Sequence, residues 1–139
     1  MMYEGSKRID FRIPNKARSH LVGRVVGIIC SQRQHLQDWF EGDSIDNYHH
    51  LSDTLALPIG ILFKIEIAND CRGEKLATPA LEHFLKLCKE DGCSQVLLNA
   101  DVTLGCPFDL VAWYERHGFR KIGPSNLGTF MLYAYDEGQ

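Results

Sequence analysis

The 139-residue sequence predicts a single α/β (α+β) domain over residues 1–139, a mixed β-sheet flanked by helices with a βαβ unit at its centre. The run Ile61–Ile67 is rich in β-branched residues and is bounded by turn formers, which is typical of a strand. Apolar residues then recur at helical spacing from Ala77 to Cys88, and Asp91-Gly92 closes this helix. Gln95–Asn99 predicts the next strand. A strand, a helix and a strand in this order predict two parallel strands joined by a right-handed crossover.

The N-terminal third predicts a β-hairpin. Lys7–Ile13 alternates apolar and charged residues, as a half-buried strand does, and ends at Pro14-Asn15. Leu21–Cys30 predicts the second strand, and its glycines permit a bulge or a close backbone approach. His35–Phe40 predicts either a third short strand or a helical turn, and Ser44–Leu51 predicts a loop.

The C-terminal quarter predicts a short helix and two strands. Pro107 suits the first position of a helix, with Asp109 in the first turn, because proline lacks an N–H that this position does not need. The predicted helix continues to about His117 and stops at Gly118. The further predicted segments are a loop at Asp101–Gly105, a strand at Arg120–Ile122, a turn at Gly123–Gly128 and a strand at Thr129–Tyr135.

The polar segment between the first βαβ strand and its helix is a candidate anion site. N–H groups at a helix N-terminus lack helical partners and carry partial positive charge, which suits a phosphate. Pro79 is tolerated only in the first turn of a helix, so the helix is predicted to begin at about Leu76. The N–H groups of the preceding loop would then be available to a ligand.

Two segments carry a family resemblance. Arg72–Ala77 resembles the R/Q-x-x-G-x-G/A pyrophosphate loop of the GNAT N-acetyltransferase superfamily, although Lys75 stands where the family has its central glycine. Trp113–Phe119 is similar to the fYe-x-x-GF segment of the same family. The resemblance covers about Leu57–Tyr135, and it implies a GNAT-like sheet that binds acetyl-CoA as cosubstrate and acetylates a primary amine.

The resemblance also implies roles for individual residues. Tyr114 would be the general acid at the leaving thiolate, since a phenol with a pKa near ~10 is protonated at neutral pH. Glu66 is either a base for the amine or half of a surface pair with Lys64, and Asn99 either bonds the pantetheine or ends its strand. The main chain of Glu66 and Ile67 would pair with the pantetheine arm. The pyrophosphate would be held by the backbone of Arg72, Gly73, Glu74, Lys75, Leu76 and Ala77.

The resemblance implies direct attack of the amine on the thioester within a ternary complex. The alternative is a non-catalytic module of the same shape that binds acyl-CoA or a partner protein. Lys75 is the reason for keeping this alternative, because a side chain at the position of the family's glycine could crowd the phosphates.

The predicted acceptor is cationic because charge is unevenly distributed along the chain. Up to Arg33 the sequence is strongly basic, whereas from Gln34 to Thr54 it contains acidic residues and no Lys or Arg. Carboxylates among aromatic rings suit an ammonium group, and Trp39, Asp43 and Asp46 are the predicted acceptor-binding residues. A solvated acidic loop is the alternative reading of this segment.

Composition narrows the class of protein. The five cysteines are odd in number and include no C-x-x-C pair, so no disulfide framework is expected. The adjacent His49 and His50 lack a third suitably spaced ligand, so no metal site is expected. No apolar run is long enough to cross a membrane, and the first residues lack the apolar core of a signal peptide, so a cytoplasmic protein is expected. The net charge of −3 argues against nucleic acid as a partner. The apolar final strand leaves a homodimer open.

Overall fold

The computed structural model describes residues 6–15, 20–43, 55–67, 74–101, 109–125 and 128–135. In these ranges it contains six strands and three helices, and the predicted mixed sheet flanked by helices is confirmed. The elements in chain order are β1 (Lys7–Asn15), β2 (His20–Cys30), α1 (Arg33–Asp43), β3 (Ile59–Ile67), α2 (Glu74–Glu90), β4 (Gln95–Asp101), α3 (Leu110–Arg116), β5 (Arg120–Pro124) and β6 (Gly128–Ala134).

The strands form one six-stranded sheet in the order β1-β2-β3-β4-β6-β5. The pair β3–β4 is parallel, as the βαβ pattern predicts, and the other four pairs are antiparallel. The predicted hairpin of β1 and β2 is also present. Because β3 and β4 are the central strands, the sheet consists of two antiparallel halves joined through one parallel contact.

Two apolar layers cover the sheet, one on each face. On one face α2 and α3 pack on the sheet, and Phe84 and Trp113 are fully buried there. On the other face α1 packs on the sheet through Leu36, Trp39 and Phe40. We refer to these as the α2/α3 face and the α1 face.

The segment His35–Phe40, for which the sequence predicts either a third short strand or a helical turn, lies in helix α1. Its buried residues recur at i, i+3 and i+4, which is the spacing of one helical face. Gln34 Nε2 donates to Asp38 Oδ1 at 2.8 Å on the outer side, as i,i+4 neighbours can. The strand interpretation of His35–Phe40 was therefore wrong, and Ser44–Leu51 lies outside the described residues.

Helix α2 begins earlier than predicted, at Glu74 rather than Leu76. Pro79 consequently lies inside the helix as its sixth residue, where it cannot donate the helical hydrogen bond to the carbonyl of Lys75. The other end agrees with the prediction, because Gly92 adopts φ +89° and its N–H donates to the carbonyl of Lys89 at 3.0 Å.

Helix α3 begins at Leu110, and Asp109 is its N-cap rather than a first-turn residue. The Asp109 carboxylate accepts from the Ala112 N–H at 3.1 Å. The predicted start at Pro107 was therefore wrong, and Pro107 itself lies outside the described residues. Strand β4 continues to Asp101, which excludes the interpretation that Asn99 ends it.

Candidate active site

The two central strands separate part-way along their length. Their register pairs Gly60 with Val96, Ile61 with Leu97 and Leu62 with Leu98, and no pairing of β3 with β4 is found beyond Leu98 in the described ranges. Both strands nevertheless continue, β3 to Ile67 and β4 to Asp101. We call the three paired positions the closed end, and Phe63–Ile67 together with Asn99–Asp101 the open end.

Within the described ranges, no strand pairs with β3 on its β4 side at the open end. On its other side β3 remains paired with β2, from Lys64 opposite Val26 to Ile67 opposite Gly23. Alternate backbone N–H and C=O groups of a strand point to opposite neighbours, so the groups directed away from β2 face the gap. An extended ligand with amide groups could add to this edge as an extra strand.

A β-bulge in β3 produces the change of direction. Val26 pairs with Lys64 while the next residue, Gly27, pairs with Leu62, so Phe63 is an extra residue in β3. Before the bulge, Leu62 points to the α2/α3 face; after it, Ile65 does. Lys64 and Glu66 therefore point to the α1 face.

Gly27 stands opposite this bulge and is required by close packing. A Cβ atom at Gly27 would lie 2.5 Å from the Ile61 carbonyl oxygen and 2.7 Å from the ring of Phe84. The sequence left a bulge and a close approach as alternatives for the glycines of β2. At Gly27 the close approach is present, and the extra residue of this pair belongs to β3 instead.

Lys64 and Glu66 form an ion pair on the exposed surface of β3. The hydrogen bond and the charge of Lys64 lower the pKa of the Glu66 carboxyl. A lowered pKa makes Glu66 a weaker proton acceptor. The side chain of Glu66 thus occupies the surface pair that the sequence gave as the alternative to a base.

The N-terminus of α2 lies at the level of the open end. Gly60, at the start of β3, is so close to Cys88 that a Cβ atom there would be 2.5 Å from the Cys88 Sγ atom. Since Cys88 is near the end of α2, the helix runs antiparallel to β3 and begins where β3 ends. The first-turn N–H groups of α2 thus lie at the level of the open end.

The predicted pyrophosphate residues fall on both sides of this helix start. Arg72 and Gly73 lie outside the described residues. The backbone of Glu74, Lys75 and Leu76 forms the first turn of α2. The side chain of Ala77 is buried in the core, so only its N–H group can take the predicted role.

Tyr114 lies on the α2/α3 face, in the last turn of α3. Phe119 N–H donates to the Tyr114 carbonyl at 3.1 Å and Gly118 N–H to the Glu115 carbonyl at 3.1 Å, which is the Schellman arrangement. Gly118 adopts φ +97°, and the rings of Tyr114 and Phe119 pack with centroids 5.4 Å apart. The Tyr114 residue is only 7% exposed, so its aromatic ring has a packing role whatever its hydroxyl group does.

Asn99 is engaged with the turn between β5 and β6. Ser125 Oγ donates to Asn99 Oδ1 at 2.6 Å and accepts from the Gly128 N–H at 2.9 Å. Ser125 is buried, so this hydrogen bond fixes the open end of β4 to that turn. The predicted contact of Asn99 with pantetheine stays a prediction.

Of the three predicted acceptor-binding residues, the structure describes the side chain of Trp39 alone. Trp39 is 7% exposed and packs against Phe40 and Phe130 at centroid distances of 4.9 and 5.3 Å. Its ring is part of the core under α1. Asp43 is the last residue of α1, and Asp46 lies outside the described residues.

The sequence did not predict Arg24 or Ser125 as site residues, and it indicated Lys64 only as a possible partner of Glu66. Arg24 and Lys64 join a charged surface described below, and Ser125 fixes Asn99. A turn was predicted around Ser125, but nothing in that turn indicates its partner. Alternation along β1, β2 and β3 indicates which charges share a face, provided that the bulge at Phe63 is known.

Neither a group of metal-ligating side chains nor a membrane-spanning helix is found in the described ranges. No group of three or more His, Cys, Asp or Glu side chains there is arranged to hold a metal ion. None of the helices in those ranges combines the length and apolar character needed to cross a bilayer.

A model of the acetyltransferase (GNAT) family matches residues 12–119, which span β3, α2, β4 and α3. The chain belongs to the GNAT acetyltransferase family. The match extends the resemblance, which the motifs carry only from about Leu57, into the N-terminal hairpin. No curated protein sequence matches this GNAT chain.

Solved structures share the fold at low sequence identity. An acetyltransferase from Bacillus cereus is 13% identical with a TM-score of 0.60, over 96% of this chain and 77% of that protein. The PaiA N-acetyltransferase of Thermoplasma acidophilum, in complex with coenzyme A, is 12% identical with a TM-score of 0.62, over 93% of this chain and 62% of that one. A chain of the NatC complex bound to Gag peptide and CoA is 14% identical with a TM-score of 0.55, over 84% and 62% of the respective chains.

Proposed function

We propose that this GNAT chain transfers an acetyl group from acetyl-CoA to a primary amine. The observation that supports the proposal is the open end, where no strand of the described ranges pairs with β3 on its β4 side beyond Leu62. The pantetheine arm contains two amide groups, and an extended chain with amides can occupy that side of β3 as a short added strand. Glu66 and Ile67 belong to this part of β3.

The start of α2 is suited to the pyrophosphate. Its first-turn N–H groups lie at the level of the open end, and the positive end of the helix dipole favours two phosphate charges. Pro79 removes the bond that would otherwise end on the Lys75 carbonyl, so this first turn is held by fewer helical bonds than usual. In our proposal the N–H groups of this first turn hold the pyrophosphate.

The transfer itself needs no acyl-enzyme. The lone pair of the neutral amine forms the C–N bond to the thioester carbonyl carbon, and the C–S bond breaks. The nitrogen loses one proton to solvent, and the leaving thiolate takes up one proton, which solvent replaces on its donor. N–H groups on the β4 side of β3 at the open end can stabilise the oxyanion. Tyr114, on the α2/α3 face, is the proposed donor of a proton to the leaving thiolate.

The amine must reach the carbonyl unprotonated, and we do not assign the removal of its proton to Glu66. The ion pair with Lys64 holds the pKa of Glu66 below its ordinary value. We therefore assign deprotonation of the amine to solvent and leave Glu66 as a surface residue of the acceptor side.

The test separates binding from turnover. Acetyl-CoA should raise the melting temperature of the protein by mass action, and acetyl-pantetheine should do so at higher concentration because it keeps the strand contact and lacks the phosphates. Thioester cleavage with a panel of primary amines then measures transfer. A melting temperature unmoved by millimolar acetyl-CoA would exclude the proposed site.

Tyr114→Phe provides the test of the acid. We expect kcat to fall by about 10²-fold with little change in acetyl-CoA affinity, on the scale of general-acid effects. Tyr133→Phe is the matched control, because Tyr133 also packs against Phe119 but pairs with Val96 at the closed end. Equal kcat values in both variants would return Tyr114 to a purely structural role.

A further inference from the structure

A charged surface crosses the first three strands on the α1 face. Ile9, Ile13, Val25 and Ile65 point to the α2/α3 face, so the charged residues that alternate with them point the other way. Arg12 stands opposite Arg24, and Arg24 stands opposite Glu66. In the next row Asp10 stands opposite Val26, which stands opposite Lys64. The members of this surface are Arg8, Asp10, Arg12, Arg24, Lys64 and Glu66.

The two carboxylates of this surface are already bound by its cations. Arg24 holds Asp10 with two hydrogen bonds of 2.8 and 3.2 Å, and Arg8 adds a third at 3.2 Å. Lys64 holds Glu66. Four cationic side chains face two carboxylates, so the surface keeps a positive excess.

Arg12 is the cation that this network does not use. It is exposed, and it makes no hydrogen bond or ion pair with any residue in the described ranges. It also faces Arg24 directly across the strand pair, an arrangement of like charges that destabilises a sheet unless an anion lies between them. The Arg12 guanidinium can bind a carboxylate or a phosphate through two oxygens, and Arg24, which holds Asp10 through Nε and Nη2, can add its Nη1 group.

The position of this surface links it to the transfer reaction. Its row Arg12–Arg24–Glu66 ends on β3 at the open end, where the thioester would lie under the proposed function. Neighbouring strands are about 4.8 Å apart, so Arg24 and Arg12 lie roughly 5 and 10 Å from the strand that borders the gap. A molecule with its amine at the gap would therefore place a group at its far end over the arginines.

We propose that the acceptor is an amine carrying a carboxylate or phosphate group about 5–10 Å from its nitrogen, and that Arg12 with Arg24 binds this anionic group. The proposal rests on the proposed acetyl transfer and adds the class of acceptor. It opposes the cationic acceptor predicted from the acidic segment, in which one of the aromatic residues, Trp39, is buried in the core.

The experiment uses amines of one length that differ in the charge at the far end: 6-aminohexanoate, 6-aminohexyl phosphate, the neutral 6-aminohexanamide and the cationic hexane-1,6-diamine. We expect kcat/KM to be highest for the two anionic amines, by about tenfold over the amide, and lowest for the diamine. The first two compounds distinguish a carboxylate site from a phosphate site. The highest kcat/KM for the diamine would overturn the proposal.

Arg12→Gln locates the effect on the surface. It should lower kcat/KM for the preferred anionic amine about tenfold and leave that for the amide unchanged, because the amide makes no use of the charge. Arg120→Gln, on the exposed strand β5 at the opposite edge of the sheet, is the matched control and should leave both values unchanged. A preference that survives Arg12→Gln would contradict the assignment.

A binding measurement keeps this test apart from the test of catalysis. If none of the four amines is acetylated, calorimetry of 6-aminohexanoate and 6-aminohexyl phosphate with the CoA-saturated protein still reads the anion site. Binding that is lost in Arg12→Gln supports it, and absence of binding overturns it. Failure of the proposed function would instead appear as absence of any effect of acetyl-CoA on the melting temperature.

Discussion

The closed and the open end of the β3–β4 pair lie only a few residues apart and differ in almost every physical property. At the closed end Ile61, Leu62, Val96, Leu97 and Leu98 are all nearly or fully buried. At the open end Phe63 is 37% exposed, and it is followed by an ion pair at the surface. Stability is thus concentrated where the strands meet, and the exposed polar backbone is concentrated where they part.

Packing against helix α2 explains why the closed end is buried and the open end is exposed. At the closed end helix α2 approaches the sheet so closely that only glycine fits at position 60 beneath Cys88. At the open end the bulge at Phe63 turns the charged residues of β3 away from α2. Substitutions at the closed end should therefore lower the free energy of unfolding. Substitutions at the open end should weaken ligand binding or lower kcat.

The largest expected effect is that of Gly27→Val, which tests the contact that supports the bulge. Its Cβ atom would meet a backbone oxygen and a buried ring at under 3 Å, and neither can move without displacing β3 or α2. We expect unfolding to become easier by about 3 kcal/mol or more, at the upper end of overpacking effects. Urea denaturation measures this free energy. A midpoint equal to that of the parent chain would show that the approach at Gly27 is not as close as described.

An intermediate effect is expected for Ser125→Ala at the open end. The substitution removes the hydroxyl that joins Asn99 to the Gly128 N–H, and the loss of these two hydrogen bonds costs about 1–3 kcal/mol in all. The free energy of unfolding should fall by that amount, and KM for the amine should rise because β4 is held less firmly beside the gap. Ser94→Ala, an exposed serine before β4, is the control and should change neither quantity.

The smallest expected effect is the loss of stability at acidic pH. Ion pairs with Arg24 and Lys64 lower the pKa of Asp10 and Glu66 below their ordinary values of 3.8 and 4.5. Their contribution to stability is therefore present at neutral pH and is lost as the pH falls below these values through the lowered ones. Both carboxylates are exposed, so the loss is small and is best seen by NMR titration. In Arg24→Gln the Asp10 midpoint should move up toward 3.8, and an unmoved midpoint would contradict the pairing.

Much of the closed end could be predicted from sequence because it depends on local periodicity. The stripe from Ala77 to Cys88 can be buried only as a helix, and the apolar runs beside it can be buried only as central strands. Gly92 and Gly118 marked the ends of α2 and α3 because both backbones require a positive φ.

The open end could not be predicted in the same way because it depends on register between strands. One extra residue at Phe63 reverses the direction of every later side chain in β3, and no local pattern reveals it. For the same reason the sequence placed Trp39 near a ligand, whereas the ring is buried by contacts with Phe130, a residue far along the chain. Distant partners, rather than local propensity, decided both positions.

The close contact between the Cys88 thiol and Gly60 also provides a way to observe the opening of helix α2. Cys88 and Cys93 are buried beside the closed end, and the hydrogen bond between their thiols together with burial raises the pKa of Cys88. A reagent such as iodoacetamide can reach Cys88 only in the moments when α2 lifts from the sheet. In a chain with Cys71 and Cys106 changed to Ser, the rate at which Cys88 is alkylated, followed by mass spectrometry, measures how often α2 opens in the absence of denaturant.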